Sequence, residues 1–141
     1  MIGRVNGGSC EDQLFESSLK TYGPYATEAV FNEGIIDVMK DASQDIFVEM
    51  VADMVRAMPQ HEIVLTHSDI APRNILVRDG KVVAILDWEL AGFYPEYWEY
   101  VKALYRPDWD DSWIKERVIG KIIRAYHIEH AVIRQVRDVF W

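Results

Sequence analysis

The sequence predicts an α+β fold that is mostly helical and contains one small β-hairpin. Apolar residues recur every three or four positions across residues 28 to 58, which is the period of helices with one buried face. Two β-branched runs flank Asp79-Gly80, a dipeptide typical of tight hairpin turns. With 141 residues, half of them apolar, the chain is long enough to bury a core within one domain.

The first 58 residues are expected to form a linker followed by two helices. Glycines, serines and Pro24 interrupt residues 1 to 27, which leaves a loop with a short helix at 11 to 19. Residues 28 to 40 are predicted to be helical, and a stronger helix is predicted from about 44 to 58, ended by Pro59. We expect the apolar stripe of this second helix to pack into the core rather than line a binding groove. Its members are Phe47, Met50, Val51, Met54, Val55 and Met58.

Short strands and further helices follow. Residues 63 to 66 are predicted to form a buried strand, and residues 74 to 77 and 82 to 86 the two strands of the hairpin. Residues 91 to 95 are expected to turn, and residues 96 to 105 to form an aromatic helix. The rest, from 112 to 140, is predicted to form two helices or one bent helix.

The segment from His67 to Asp87 points to chemistry. It has the spacing H-x-D-x-x-x-x-N, then a strand, then a second Asp, which is typical of kinase-type active sites. Phosphoryl transfer requires a carboxylate beside the acceptor hydroxyl and hard oxygen ligands for Mg²⁺. Asp69 suits the first role, and Asn74 and Asp87 suit the second, because antiparallel pairing of the hairpin brings their ends together. We expect His67, counted with Asp69 as a catalytic residue, to fix the loop through backbone hydrogen bonds.

Simpler interpretations exist for each of these residues. Asn74 could merely cap a turn, and Asp87 could merely end a strand. Such a structural role would be ordinary for either residue alone, but it is less plausible for both together with Asp69. His127 and His130 stand three apart, yet no third ligand accompanies them, so surface histidines are favoured over a metal site. A single cysteine, Cys10, excludes an internal disulfide.

The motif resembles the catalytic segment of the aminoglycoside phosphotransferase and choline kinase group, the small-molecule branch of the protein-kinase-like fold. That group shows H-G-D-L-x-x-x-N followed by I-D-[WF]-E; here Ser68 replaces the usual Gly and Ile70 the usual Leu. The flanking runs at 23 to 25, 31 to 32 and 91 to 100 are similar to fungal phosphotransferase-domain proteins. Asp87-Trp88-Glu89 keeps the small-molecule form, which disfavours a protein-kinase substrate.

The resemblance implies that residues 28 to 141 form the carboxy-terminal lobe of a kinase-like fold, with the hairpin carrying the catalytic and metal residues. It implies ATP and Mg²⁺ as cofactors and phosphorylation of a hydroxyl on a small, amine-bearing acceptor. Glu89, Glu96 and Glu99 are then candidates for contacting the acceptor amine. The residues before His67 lack a Gly-rich loop and a Lys-bearing strand, so we expect the amino-terminal nucleotide lobe to be absent, the chain alone to be incomplete, and a partner to cover the exposed face.

Charge and hydropathy exclude other classes. A net charge of −8 disfavours nucleic-acid binding. The sequence contains neither the apolar core of a signal peptide nor a run of about eighteen apolar residues that could span a membrane. We therefore expect a cytoplasmic chain. Two alternative functions remain. One is a catalytically silent, truncated kinase-like module that binds a small molecule or a protein partner. The other, a metal-dependent phosphohydrolase using His67, Asp69 and Asp87, is disfavoured because it leaves the Asn74 spacing to coincidence.

Overall fold

Six α-helices and five β-strands form within residues 1–15, 20–105 and 108–140, the part of the chain that the computed structural model describes. The helices are α1 (Glu28–Ala42), α2 (Ile46–Arg56), α3 (Trp98–Ala103), α4 (Ser112–Lys115), α5 (Ile119–Ile122) and α6 (His127–Asp138). The strands are β1 (Gly3–Arg4), β2 (Ile63–Thr66), β3 (Ile75–Arg78), β4 (Lys81–Ile85) and β5 (Gly92–Pro95). Single 3₁₀ turns lie at Gln13–Phe15 and Pro72–Asn74. The predicted α+β class is confirmed.

A three-stranded antiparallel sheet supports the loop that follows β2. Strand β5 lies in its centre, between β1 and β2, and Thr66 pairs with Gly92. The expected turn at residues 91 to 95 is therefore wrong, because the segment is a strand. Gly92 is needed there, since a Cβ at this position would lie 2.5 Å from the carbonyl oxygen of Gly3 in β1.

The second sheet is the hairpin of β3 and β4. Ile75 lies opposite Ile85 at its open end, and Arg78 lies opposite Lys81 beside the turn. Asp79 and Gly80 have φ values of 51° and 72°, the left-handed conformation that a two-residue hairpin turn requires. Each strand begins and ends within one residue of its predicted bounds.

The core lies between the three-stranded sheet and the longer helices. Helix α2 packs against both α1 and α6. The ring of Trp98 in α3 stacks on Tyr94 of β5 at 5.5 Å and meets Phe31 of α1 edge-on at 5.2 Å. Residues 1 to 15, assigned to a linker from sequence, also bury Ile2 and Leu14 in this core.

Helix α2 buries a face different from the predicted one. Its N-cap, Asp45, accepts a hydrogen bond from the amide of Val48, and the buried face consists of Val48, Val51, Ala52 and Val55. Three members of the predicted stripe, Phe47, Met50 and Met54, are instead 39%, 61% and 41% exposed. The core-packing prediction is therefore wrong for those three residues.

The carboxy-terminal helices differ in length. The predicted helix at 112 to 126 is two single turns, α4 and α5, whereas α6 runs for 12 residues. None of the helices in the described residues combines the length and the apolar character that crossing a bilayer requires.

Candidate functional site

His67 ties the loop between β2 and β3 to the end of the hairpin. Its Nε2 donates to the carbonyl of Leu86 at 2.8 Å, and its Nδ1 accepts from the amide of Asp69 at 3.2 Å. A neutral imidazole, with one donor and one acceptor nitrogen, satisfies both bonds. The amide of Leu86 also donates to the carbonyl of Asn74 at 2.8 Å, so the two ends of the hairpin are linked directly and through His67.

Glu99 of α3 holds the start of the same loop. Its carboxylate accepts from the backbone amides of His67 at 2.6 Å and Ser68 at 3.1 Å. Burial raises the pKa of this carboxyl, although the two amides and the nearby imidazole act in the opposite direction. Sequence reasoning missed this positioning role. The proposed contact of Glu99 with an acceptor amine stays a prediction, and in the structure its oxygens face the loop backbone.

Ser68 is strained. Its φ of 70° lies in the left-handed region, which favours the glycine usual at this motif position, and its buried hydroxyl forms no hydrogen bond with a described residue. The strain is maintained because the loop is anchored on both sides of Ser68, by Glu99 and by His67.

Asp69 makes three side-chain contacts at the centre of the loop. Its two carboxylate oxygens accept from Nη2 of Arg73 at 2.6 and 2.7 Å, and Oδ2 accepts from Nδ2 of Asn74 at 2.8 Å. The Asp69 side chain is 32% exposed and that of Arg73 is 66% exposed. Solvent therefore reaches this ion pair, and its net strength is low.

Asn74 uses its nitrogen on Asp69 and keeps its oxygen free. The buried side chain donates from Nδ2 to both the backbone carbonyl and the carboxylate of Asp69. These bonds fix which way the amide points, and no described residue donates to its Oδ1. One side chain therefore connects the candidate base to an oxygen that is available for a cation.

Asp87 follows Leu86 directly, where β4 has ended. It has a φ of 65° and an exposed side chain that forms no hydrogen bond or ion pair with a described residue. The neighbouring Trp88 packs edge-on against the His67 ring at 4.7 Å and donates from its indole nitrogen to Ile85. The backbone on both sides of Asp87 is held while its carboxylate remains free.

The other predicted acceptor contacts lie in different surroundings. Glu89 is exposed. Glu96 is partly buried and lies 3.9 Å from Arg124, and it also interacts with Tyr126. The structure thus brings the loop, Asn74 and the segment at Asp87 together around His67, and it places Glu96 with residues outside this set.

A hollow of about 150 Å³ lies beside Asp69. Lys102 of α3 lines it, and its ammonium group is 2.9 Å from the buried carboxylate of Asp12 and 4.0 Å from the centre of the Tyr105 ring. Sequence reasoning missed this lysine, because nothing along the chain indicates that residues 12 and 102 meet.

A comparison with protein families decides the wider assignment. A family model described as the phosphotransferase enzyme family matches residues 26–137. The chain belongs to the phosphotransferase enzyme family. This match confirms the resemblance to the aminoglycoside phosphotransferase group. Searches of curated proteins and of solved structures gave no significant match.

The residues of this family member provide ligands suited to Mg²⁺. An amide oxygen at Asn74 and a carboxylate at Asp87 are hard donors, and Mg²⁺ in phosphotransferases binds one or two such groups together with substrate phosphates and water. Among the described residues, no cluster of three or more His, Cys, Asp or Glu side chains is arranged to hold a metal. A cation at this site would therefore depend on phosphate oxygens for its remaining ligands.

Proposed function

We propose that the chain is the catalytic part of an ATP-dependent small-molecule kinase, with Asp69 as the base and Asn74 and Asp87 as ligands of Mg²⁺. Membership of the phosphotransferase family supports the reaction class. The observation that carries the residue roles is the Asn74 side chain, which donates to Asp69 through its nitrogen and leaves its oxygen without a protein partner.

The reaction follows from these roles. The acceptor hydroxyl gives its proton to the Asp69 carboxylate, its oxygen forms a bond to the γ-phosphorus of ATP, and the bond to the β,γ-bridging oxygen breaks to release ADP. Bound Mg²⁺ supplies neutralisation of the phosphate charge. His67 and Glu99 hold the loop, so that Asp69 keeps its place while the acceptor binds.

The side chain of Arg73 must move away from Asp69 before the acceptor hydroxyl can bind there. It occupies both oxygens of Asp69, which an acceptor hydroxyl has to approach. Because the Arg73 side chain is largely exposed, the pair contributes about 1 kcal/mol at most, and a bound acceptor can displace it. A basic group on the acceptor would replace the lost charge, and the candidates for contacting such a group are Glu89, Glu96 and Glu99.

The finer fold assignment belongs to the same proposal. The chain corresponds to the carboxy-terminal lobe of a kinase-like fold, and Asn74 and Asp87 stand at the open end of the hairpin. Val77 and Val82 form a cross-strand pair of exposed apolar side chains on the hairpin, and we propose that a nucleotide-binding lobe covers this part of the surface in the working protein. We call this pair the hairpin face.

The alternative is a catalytically silent module. The observation that favours it is the three contacts around the Asp69 carboxylate, which leave the candidate base fully paired. In that case the site would still bind a small molecule, without phosphoryl transfer.

Calorimetric titration with ATP, with and without Mg²⁺, tests the proposal. We expect Mg²⁺-dependent binding that Asp87→Asn abolishes and that Asp79→Asn leaves unchanged. Asp79 is a matched control, since it is an exposed aspartate with left-handed φ at the opposite end of the same hairpin. Absence of binding at millimolar Mg·ATP, or equal loss in both variants, would contradict the proposed site.

A further inference from the structure

A second cavity lies on the other side of α3. Residues of α3, α4, α5 and the start of α6 enclose about 640 Å³, a volume typical of sites for small molecules. The hollow beside Asp69 is much smaller, at about 150 Å³. We call the larger cavity the helical pocket.

The walls of the helical pocket are aromatic and apolar. Trp109, Trp113 and Tyr100 line it, and Tyr100 lies on α3. Tyr100 and Ile119 are buried, whereas Trp109 is 60% exposed. So much exposed area is unusual for a tryptophan, unless a ligand covers the ring in the working protein. The pocket therefore offers flat surfaces on which a planar group can stack.

Two cationic side chains, Arg117 and Lys121, line the pocket together with the imidazole of His127, and no acidic residue does so among the described residues. Neither Arg117 nor Lys121 forms an ion pair with a described residue. Arg117 also lies close enough to Tyr100 to oppose the rise in its pKa that burial causes.

Four acids lie close in sequence to the pocket residues, at positions 108, 110, 111 and 116, and none of them lines the pocket. Asp110 lies 3.0 Å from Lys115, and Asp111 caps α4 by accepting from the amide of Trp113 at 2.8 Å. Glu116 is exposed and stands next to Arg117 in the chain, outside the lining of the pocket.

Helix α3 separates the pocket from the candidate active site. Tyr100 and Leu104 line the helical pocket, whereas Lys102 and Ala103 line the hollow beside Asp69, and no residue lines both. Successive helical residues are about 100° apart, so these pairs lie on different faces of α3. The helical pocket is thus a separate site.

We propose that the helical pocket binds a small anion that carries a flat aromatic ring. The tryptophan and tyrosine faces would stack on the ring, while Arg117 and Lys121 would pair with its carboxylate, sulfonate or phosphate group. The occupant is distinct from the acceptor and the nucleotide, because the residues predicted to contact those two molecules do not line the helical pocket.

Binding of naphthalene-2-sulfonate, followed by tryptophan fluorescence and calorimetry, tests this proposal. A sulfonate probe avoids the phosphate chemistry of the other site, and 2-naphthol is its uncharged counterpart. We expect the sulfonate to bind about tenfold more tightly than 2-naphthol, because only the sulfonate can form ion pairs with Arg117 and Lys121. Trp109→Ala should weaken both probes while leaving the circular dichroism spectrum unchanged.

A matched pair of double variants locates the charge effect. Arg117→Ala with Lys121→Ala should bring the affinity for the sulfonate down to that for 2-naphthol. Arg78→Ala with Lys81→Ala removes the same charge from the hairpin and should leave the affinity unchanged. Equal binding of the two probes, a loss confined to the hairpin variant, or no saturable binding would overturn the proposal.

Discussion

Two residues of the candidate site, Ser68 and Asp87, have left-handed backbone conformations, with φ of 70° and 65°. Such conformations cost roughly 1 to 2 kcal/mol in residues other than glycine. They persist here because His67, Glu99 and Trp88 hold the backbone around them. Strain of this kind is common where a side chain must face a substrate or an ion.

Replacing Ser68 by glycine should therefore stabilise the fold. We expect Ser68→Gly to raise the free energy of unfolding by about 1 kcal/mol, because it relieves the left-handed φ and removes a buried hydroxyl that bonds to no described residue. Urea denaturation measures the change. Asp79→Gly, which relieves only backbone strain at an exposed turn, is the control and should give a smaller gain. An unchanged or lower stability of Ser68→Gly would contradict this account of the strain.

Glu99 should make stability depend on pH. Its pKa is raised in the folded chain by burial, so the folded state binds the proton more tightly than the unfolded state. Glu99 makes its full contribution to the free energy of unfolding below its pKa in the unfolded chain, near 4.5. That contribution is lost as the pH rises through its higher pKa in the folded chain. Denaturation midpoints of the wild type and of Glu99→Gln should be measured across this pH range. The midpoint of the wild type minus that of the variant should fall as the pH rises. Parallel profiles for the two proteins would exclude Glu99 as the source.

The motif spacing predicted which loop residues meet, because Asp69 and Asn74 lie five positions apart on one short loop. It did not predict the partner of the loop in α3, since Glu99 is 32 positions from His67 and meets it only after the sheet and α3 have packed together. The roles of the site residues in catalysis stay predictions, whereas their contacts with one another are now described.

At the scale of secondary structure, periodicity predicted that α2 exists but not which face it buries. Eight of its eleven residues are apolar, so two overlapping stripes share Val51 and Val55, and only contact with α1 and α6 selects between them. Strand β5 was missed for a different reason. Its sequence, Gly-Phe-Tyr-Pro, carries turn-forming residues at both ends, and it becomes a strand by pairing with β1 and β2, which are distant in sequence.

Three elements are joined by a buried cluster of polar side chains around His61, which precedes β2. Its Nδ1 is 2.8 Å from Glu28 at the start of α1, and its Nε2 is 3.3 Å from Glu129 at the start of α6. The side chains of all three residues are less than a tenth exposed. The cluster fixes α6 to α1, and no local sequence pattern predicted it.

Replacing His61 should destabilise the fold. We expect His61→Ala to lower the free energy of unfolding by about 3 kcal/mol, because it removes the imidazole that two buried carboxylates contact and leaves Glu28 only the backbone amide of residue 61. Glu33→Ala, which breaks a solvent-exposed pair with Arg56, is the comparison and should cost less than about 1 kcal/mol. Equal losses in the two variants, measured by urea denaturation, would show that the cluster contributes no more than a surface pair.

At the scale of the whole molecule, the hairpin face is an exposed apolar part of the surface. Val77 and Val82 are paired across the strands, and each is 61% exposed. If a nucleotide-binding lobe covers this face in the working protein, its apolar residues serve an interface and not the stability of this chain.

Charging the hairpin face should therefore change association and not folding. We expect Val77→Lys with Val82→Glu to alter the free energy of unfolding by less than about 0.5 kcal/mol, the usual range for surface substitutions. Sedimentation velocity should show weak self-association of the wild type with rising concentration, and none for the variant. A large loss of stability in the variant would show that the hairpin face contributes to the core of this chain.

Paramagnetic broadening by Mn²⁺, read from the backbone amide signals of the chain, tests the central claim most directly. Mn²⁺ replaces Mg²⁺ at oxygen sites and broadens signals of nearby nuclei only. If Asp69, Asn74 and Asp87 surround one cation, their amide signals should disappear together at the lowest Mn²⁺ concentrations in the presence of ATP, while those of Asp79 and Gly80 persist. Broadening that begins at the acidic segment 108 to 111, or that reaches residue 87 without residues 69 and 74, would contradict a shared site.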